Sequence, residues 1–354
     1  MNSKAAPEMR SGWGIFRGIP DDSKVLVVPT QSGQLQTIWP NCTVLPPYVL
    51  GPLEKQMPTV WHPGPSQAIE TKNTIINLLA DYDEYQGALN ALRKMTEQRS
   101  VTIFNDPRAI LMTRRDRISE VLAGVPGLTA PKCVRFFADH PDKFRRVFSS
   151  NGFDYPVLVR PARSQTGQHL VRVEHDGDWD KVHTIPWGGT HVYMTQFVDS
   201  KDPTTGRYAK IRIAIVGGKF VIRHVHFGQE WLVHFVPRDE ARRRIEVELL
   251  DKLNNSDALK NIVAEIVRRV PLDYWGVDLG FSFQNDADFV LFEGNAAMSM
   301  LPQSLDAREE SRQPEHIRVQ TRVVARTLAD MLIAHINGPD RWAFNKANLA
   351  APAL

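Results

Sequence analysis

Two apolar segments in the last third of the chain constrain the fold most strongly, because they carry polar side chains that a buried strand does not usually contain. GVDLGFSF covers residues 276–283, and FVLFEGN covers residues 289–295. The short polar stretch between them predicts that they are adjacent antiparallel strands. Glu293 and Asn295 are two residues apart and should face the same side of the sheet. If the strands pair, Asp278 can converge with them.

These three side chains form a donor set that suits a hard cation. Two carboxylates and an amide oxygen, without cysteine or a pair of histidines, are typical ligands of Mg²⁺ or Mn²⁺ that is also bound to substrate phosphates. The alternative is a polar strand edge that reaches water. Spacing alone favours neither interpretation, because short motifs often match by chance.

The bulk composition is that of an ordinary globular protein. The chain has 354 residues, of which 42% are hydrophobic and 23% are charged, with a formal net charge of +3. The small net charge predicts neither a nucleic-acid partner nor a membrane partner. Cys42 and Cys133 are far apart, and the N-terminus lacks the apolar core of a signal peptide. These features favour a reducing, cytoplasmic location.

The first half of the chain alternates strand and helix patterns. Residues 1–22 are polar and rich in glycine and proline, which predicts a flexible arm. KVLVVPT at 24–30 predicts a buried strand. A strand at 74–81, a helix at 85–95 and a strand at 100–104 then predict a parallel α/β layer.

The second half contains more strands. Segments 153–161, 169–176 and 191–198 predict a smaller α+β domain. Two β-rich runs within 208–227 surround Gly217 and Gly218, which is typical of a hairpin. Three helices are predicted after the hairpin, at about 239–253, 256–270 and 315–336.

Several arginines and histidines could contact phosphate or substrate. Arg160 ends a strand and precedes the polar loop 163–167, which could bind phosphate through its backbone N–H groups. Arg212 and Arg223 lie in the predicted hairpin. One arginine side chain can donate two parallel hydrogen bonds to the oxygens of a phosphate group. Each arginine alone is more often a surface residue. His224 and His226 share a strand face, but packing or substrate contact is favoured over zinc because no cysteine or carboxylate is near them on the hairpin.

Five motifs in order carry a resemblance to a known family. They are NDPRAILMTRRDRI, PVLVRPARSQTGQH, YMTQFV, KIRIAIVGGK with its following WLVHF, and GVDLGF with VLFEGNAAM. The chain resembles the ATP-grasp superfamily over about residues 72–300, on the side of glutathione synthetase and the glutamate-adding peptide ligases.

The resemblance implies a set of site residues. Asp278, Glu293 and Asn295 match magnesium ligands, and Arg212 matches the arginine that contacts the transferred phosphoryl group. The remaining matches are Arg117 and Arg160 at the two lysine positions for ATP phosphate, Gln165, Thr166 and Gly167 in the flexible loop, Gln196, Phe197 and Val198 in the adenine linker, and Asp199 near the ribose. Arginine replaces lysine at both phosphate positions, and Lys210 stands where an acidic residue is expected. Arg223 is a second catalytic candidate beside Arg212 on the hairpin, and His226 and His234 are candidates for substrate contact.

The implied organisation is an arm (1–22), an N-terminal α/β domain (23–112), a central lid domain (113–198), a C-terminal metal-binding domain (199–337) and a tail (338–354). The implied reaction is ATP-dependent ligation of a carboxylate and an amine through an acyl phosphate. The substrates would be small molecules or peptides, and the family suggests a homodimer. The alternatives are an ATP-binding interaction module without ligase activity and a phosphotransferase on the same fold.

Overall fold

The computed structural model describes residues 12–29, 33–64, 70–97, 99–165, 167–233, 239–282, 288–302 and 314–337. These stretches form three larger sheets and one two-stranded sheet, with helices between them. The predicted combination of α/β and α+β structure is confirmed. No helix within the described stretches is both long and apolar enough to cross a membrane.

The N-terminal part contains a four-stranded parallel sheet. Its elements are β1 (Trp13–Gly18), β2 (Leu26–Pro29), β3 (Leu35–Ile38), α1 (Pro47–Glu54), β4 (Thr59–His62), β5 (Thr74–Asn77), α2 (Gln86–Thr96), β6 (Thr102–Phe104) and α3 (Pro107–Met112). The sheet has the order β4–β1–β5–β6, and all of its pairs are parallel. Helix α2 buries Ala88, Leu89 and Leu92, as their helical spacing predicts.

Two details of this part differ from the predictions. Residues 13–18 are not an arm: they form β1 between β4 and β5, because Ile15 and Phe16 are almost completely buried in the core. Segment 24–30 is not a buried strand either. There β2 pairs with β3, and Val27 is 50% exposed. Its apolar pattern resembles that of a core strand, but burial depends on a second layer that local sequence does not specify.

The central part is an antiparallel sheet with its own core. After α4 (Arg115–Val121) and β7 (Leu128–Thr129), the chain forms β8 (Cys133–Ala138), α5 (Asp142–Ser150), β9 (Val157–Pro161), β10 (Val171–Val173), a 3₁₀ helix (Asp176–Thr184) and β11 (Thr190–Gln196). The strand order is β10–β9–β11–β8. Phe144 and Trp179 pack into a core that this part does not share with the others.

The C-terminal part is built on a five-stranded sheet. Its elements are β12 (Tyr208–Val216), β13 (Lys219–Gly228), α6 (Glu240–Asn255), α7 (Asp257–Arg269), β14 (Tyr274–Phe281), β15 (Phe289–Asn295) and α8 (Glu315–Asn337). The order is β13–β12–β14–β15–β7. Gly217 and Gly218 form the predicted hairpin turn with φ values of +56° and +77°, a region that favours glycine.

The N-terminal and C-terminal parts share one hydrophobic core, to which Phe16 and Trp275 both belong. Asn105 adds a polar connection between them. Its backbone N–H donates to Asp273 Oδ2 at 2.6 Å, and its side-chain amide donates to the Tyr274 carbonyl at 3.0 Å. Both contacts are buried, so they fix the two parts together, and the separately packed central sheet faces them. The predicted domain boundaries remain predictions.

Candidate active site

A row of charged side chains crosses three neighbouring strands of the C-terminal sheet. Arg212 on β12 is the direct register partner of Asp278 on β14, and Asp278 is the direct partner of Glu293 on β15. Asn295 lies two residues beyond Glu293 on the same side of the strand. All four line one cavity. The structure therefore brings together the three oxygen donors selected from the sequence and places Arg212 beside them.

An irregularity in the β14–β15 pairing sets the surroundings of these side chains. The register shifts between Asp278 and Leu279, which leaves Phe292 as an additional residue on β15. Phe292 is 36% exposed and lines the cavity, whereas its apolar run predicted burial. Gly294 lets β15 approach α4 closely, because a Cβ at this position would lie 2.7 Å from Ile118 Cδ1.

Asp278 is held ionised by two cations. Arg212 Nε and Nη2 each donate to one of its carboxylate oxygens at 2.8 Å, and Lys210 Nζ lies 3.0 Å from Oδ2. Burial alone would raise the pKa of this carboxyl group. Arg212 and Lys210 outweigh burial, and the pKa of Asp278 is lower than usual. A buried carboxylate with this charge environment stays negative at neutral pH.

Glu293 is ionised for the same reason but has a different partner. Arg115 Nη2 on α4 donates to Glu293 Oε2 at 2.8 Å. Burial raises the pKa of Glu293, and the attraction of Arg115 more than compensates, so the pKa is lowered. The C-terminal sheet and helix α4 together therefore build this part of the site.

Asn295 carries a buried oxygen atom that has no hydrogen-bond partner in the described part of the chain. Its Oδ1 is enclosed and accepts no hydrogen bond from the described residues. Buried polar atoms are normally paired, so an orphaned acceptor indicates that a group from outside the chain completes the site. An oxygen-bound cation would do so.

The donor set fits a divalent metal ion of the magnesium type. Two ionised carboxylates and one free amide oxygen are hard ligands. The described part of the chain contains no group of three or more His, Cys, Asp and Glu side chains arranged to hold a metal. The set therefore depends on the amide of Asn295.

Helix α4 presents Arg115 to the site and not Arg117. Arg115, Ile118 and Ser119 line the cavity, at spacings of three and four residues that define one helical face. Arg117 lies outside that face, where its guanidinium pairs with Glu120 at 2.8 Å and is 46% exposed. Sequence reasoning selected Arg117 and missed Arg115, although the helical period separates the two.

Arg160 and its loop border the same cavity. Arg160 Nε donates to Ser164 Oγ at 3.0 Å, and Nη2 donates to the Ser164 carbonyl. Burial, together with the nearby positive charge of Arg115, lowers the pKa of Arg160 to about 9. Gln165 and Gly167 also line the cavity, and Thr166 lies outside the described residues. The arrangement surrounds Arg160 with neutral acceptors, so an anionic ligand would relieve the cost of its burial.

The segment from Gln196 to Val198 lines another wall of the cavity. The backbone N–H of Gln196 donates to the Lys132 carbonyl at 2.8 Å, and that of Phe197 donates to the Pro156 carbonyl at 3.1 Å. Both groups are therefore engaged within the protein. Asp199 is exposed and does not line the cavity; its carboxylate accepts from the Lys201 backbone at 3.0 Å.

The substrate candidates of the hairpin separate in the structure. His226 lines the cavity, and its ring centroid lies 4.2 Å from that of His224. Arg223 does not line the cavity: it is 7% exposed and donates to Thr321 Oγ1 on α8 at 2.9 Å. Burial lowers its pKa to about 10. His234 lies outside the described residues.

The cavity as a whole measures about 690 Å³ and has two kinds of lining. The apolar part includes Leu158, Leu170, Phe197, Trp231, Val290 and Phe292. The charged part includes Arg115, Arg160, Lys210, Arg212, Asp278 and Glu293. A cavity of this size and composition suits a ligand with an apolar or aromatic moiety and several negative charges.

Comparison with known proteins gives structural matches. The chain is similar to the crystal structure of the VanG D-Ala:D-Ser ligase from Enterococcus faecalis, with 12% identity over 75% of this chain and 73% of that chain and a TM-score of 0.46. It is also similar to D-alanine–D-alanine ligase from Bacillus anthracis, with 14% identity over 91% and 98% of the two chains and a TM-score of 0.44. A third match is the ATP-grasp ligase PsnB complexed with minimal precursor, Mg and ADP, with 13% identity over 90% and 99% and a TM-score of 0.39.

These structural matches have identities of 12–14% and TM-scores below 0.5, so they carry no conclusion about the activity of this chain. No protein-family profile matches the sequence, and no curated protein matches it. The chemistry of the site follows from the side chains described above.

Proposed function

We propose that this protein is an ATP-dependent ligase that joins a carboxylate to an amine through an acyl phosphate. The observation that carries the proposal is the row of Arg212, Asp278 and Glu293 across three strands, next to the orphaned oxygen of Asn295. A cavity with this charged row and an apolar wall can hold a nucleoside triphosphate. The five sequence motifs favour the same function.

The proposed arrangement assigns each group a part in binding. Asp278, Glu293 and Asn295 would hold Mg²⁺, which when bound would supply positive charge that offsets the negative charge of the phosphates. Arg160 and Arg115 would bind the phosphate chain. The backbone of Val198 is the remaining N–H of the linker for the adenine base, since Gln196 and Phe197 donate elsewhere.

The chemical steps need charge stabilisation more than a protein nucleophile. An oxygen of the substrate carboxylate attacks the γ-phosphorus of ATP, the bond to ADP breaks, and an acyl phosphate forms. The amine nitrogen then attacks the acyl carbon, inorganic phosphate leaves with that oxygen, and the nitrogen loses a proton. Arg212 would stabilise the phosphoryl oxygens during transfer. Closure of the loop around Gln165 and Gly167 would exclude water from the acyl phosphate.

The test follows oxygen atoms from the substrate into phosphate. The protein is incubated with ATP, Mg²⁺, a panel of ¹⁸O-labelled carboxylates and a panel of amines, and ADP, amide and phosphate are measured by mass spectrometry. We expect ADP formation that depends on both substrates, with one ¹⁸O atom transferred to phosphate for each amide formed. A phosphorylated product without amide would indicate a phosphotransferase. Nucleotide binding without turnover across the panel would indicate a binding module.

The different positions of Arg115 and Arg117 on α4 lead to a second prediction. Arg115→Gln is expected to weaken binding of Mg-AMPPNP by about 10- to 100-fold, because a charged hydrogen bond is worth about 1.5–3 kcal/mol. Arg117→Gln should change the dissociation constant by less than about twofold, since an exposed pair on a helix contributes only about 0.3–0.5 kcal/mol.

Isothermal titration calorimetry on the two variants makes the comparison, and thermal unfolding verifies that both are folded. The substitutions are chemically identical and two residues apart, so each serves as the control for the other. If Arg117→Gln loses more affinity for Mg-AMPPNP than Arg115→Gln does, then Arg117 contacts the phosphate, as the sequence motif indicated.

A further inference from the structure

A second, smaller cavity adjoins the candidate active site. It measures about 30 Å³ and shares Arg115, Gln165, Glu293 and Asn295 with the large cavity. Its other walls are residues 80–83 of the N-terminal part, residues 113–114 before α4, Ala162 after β9, and Gly294 of β15. The space accommodates a group about the size of one water molecule. It opens beside the proposed metal ligands, where the acyl group would be activated.

The charged side chains of the small cavity are almost all paired. Asp83 pairs with Arg135 at 2.7 Å and also accepts from the Tyr193 hydroxyl. Arg114 pairs with Asp116 at 2.7 Å, and Arg115 pairs with Glu293, as described above. These pairs use up the cations that border the cavity.

Asp81 is the exception. Among the described residues, no cationic side chain forms an ion pair with it. Its Oδ1 accepts from the Asp83 backbone N–H at 2.8 Å, and its Oδ2 accepts a long contact of 3.3 Å from Gln165 Nε2. The carboxylate is therefore fixed at one oxygen and only weakly engaged at the other, which contacts the side chain of Gln165.

The environment of Asp81 disfavours its own negative charge. Burial and the negative charge of Asp83 raise its pKa to about 7; Glu84 adds to the effect, and Arg115 only partly opposes it. A cation in the cavity would reverse this cost. Arg115 lies near Asp81 but forms its ion pair with Glu293.

We propose that Asp81 binds the ammonium group of the amine substrate and thereby selects a primary amine as the acceptor. This inference rests on the proposed function for the identity of the second substrate. An ammonium group is the right size for the small cavity, it supplies the missing cation, and it donates to the weakly engaged Oδ2. The bound group would lie beside Glu293 and Asn295, and its nitrogen would attack the acyl carbon only after it passes a proton to the Asp81 carboxylate.

The experiment uses alaninamide as an ammonium probe and N-acetylalaninamide as its neutral counterpart. Both are titrated calorimetrically into the full-length protein, with and without Mg-AMPPNP. We expect alaninamide to bind and the acetylated probe to bind at least about tenfold more weakly. Asp81→Asn should weaken alaninamide binding about tenfold or more, as loss of a charged hydrogen bond predicts. Asp180→Asn, which alters an exposed carboxylate far along the chain, should leave it unchanged.

The unfolding temperature of Asp81→Asn distinguishes a binding role of Asp81 from a purely structural one. Because the pKa of folded Asp81 is raised above its ordinary value, ionisation destabilises the folded protein increasingly as the pH rises toward 7. The charged groups around it are Asp83, Glu84, Arg114, Arg115 and Glu293. Asp81→Asn should therefore raise the unfolding temperature by about 2–4 °C at pH 8 and by less at pH 5, while it impairs binding of the amine.

The outcomes separate this inference from the proposed function. Equal alaninamide affinity in wild type and Asp81→Asn, or no alaninamide binding in either condition, would overturn the role of Asp81. Failure of Mg-AMPPNP to bind would instead overturn the nucleotide site. The titration without nucleotide would still decide whether Asp81 binds an ammonium group.

Discussion

Asp278→Asn is expected to lower Mg²⁺-dependent ADP formation by about 10²–10³-fold, the range seen when a positioned electrostatic group is removed from an active site. The substitution keeps the shape of the side chain and removes its charge. Asp278 is central to the site, since it lies between Arg212 and Glu293 and is 1% exposed. The measurement is kcat/KM for ATP as a function of Mg²⁺ concentration, together with Mn²⁺ binding followed by electron paramagnetic resonance in the presence of AMPPNP.

The same variant should be less stable. Arg212 and Lys210 lose their anion, and breaking a buried pair costs about 3–5 kcal/mol; their side chains are 22% and 17% exposed, so we expect about 2 kcal/mol. Because the pKa of Asp278 is lowered in the folded protein, its stabilisation is fully present above the ordinary aspartate pKa of about 3.9 and is lost as the pH falls below it. The stability difference between wild type and variant should shrink in that acidic range.

Asn295→Leu is the control that separates metal binding from stability. Its Oδ1 has no partner among the described residues, so its removal leaves no broken hydrogen bond. The unfolding temperature should stay unchanged or rise, while Mn²⁺ affinity falls. Retention of Mn²⁺ affinity and activity within about tenfold by folded Asp278→Asn would contradict the proposed metal site.

Arg212→Met is expected to reduce turnover by about 10²–10³-fold with little change in the affinity for ADP. Arg212 presents a forked guanidinium in which Nε and Nη2 are both directed at Asp278. Its proposed partner is the phosphoryl group in transfer, which ADP lacks, so the loss should appear in kcat and not in ADP binding. Asp278 keeps Lys210 as a counter-ion, which limits the effect on stability.

Two further variants sharpen this test. Arg212→Lys should recover only a small part of the activity, because an ammonium group does not reproduce the planar fork of arginine. Arg244→Met changes an exposed arginine on α6 and should leave turnover unaffected. A loss of ADP affinity as large as the loss of turnover would assign Arg212 to general nucleotide binding instead of phosphoryl transfer.

Local patterns predicted most of the C-terminal part. The hairpin around Gly217 and Gly218 is encoded by alternating apolar residues and by glycines with positive φ, which both depend on short-range sequence. Adjacent strands with a short connection pair in register, so the pattern could also place Asp278 beside Glu293. The register shift that exposes Phe292 was not visible, because a bulge depends on how β15 packs against its neighbours.

The face of α4 that lines the cavity could not be predicted from the sequence. The family motif pointed to Arg117, whereas the helical period of α4 groups Arg115 with Ile118 and Ser119. The period was available in the sequence, but only the orientation of the helix against β15 shows which face is turned inward. Residues 13–18 are a similar case, since β1 is recognisable as a strand only once its two neighbours are in place.

The sequence alone determined the order of strands and helices in the C-terminal part and the oxygen donors Asp278, Glu293 and Asn295, because short connections and period-two alternation act over a few residues. The tertiary structure decided which cations accompany them and where the small cavity lies. Arg115, Gln165 and Asp81 come from three separate parts of the chain. They meet because a shared apolar core packs the N-terminal part against the C-terminal part, and polar contacts such as the pair of Arg135 with Asp83 join the central part to them. No local pattern specifies which of these side chains become neighbours.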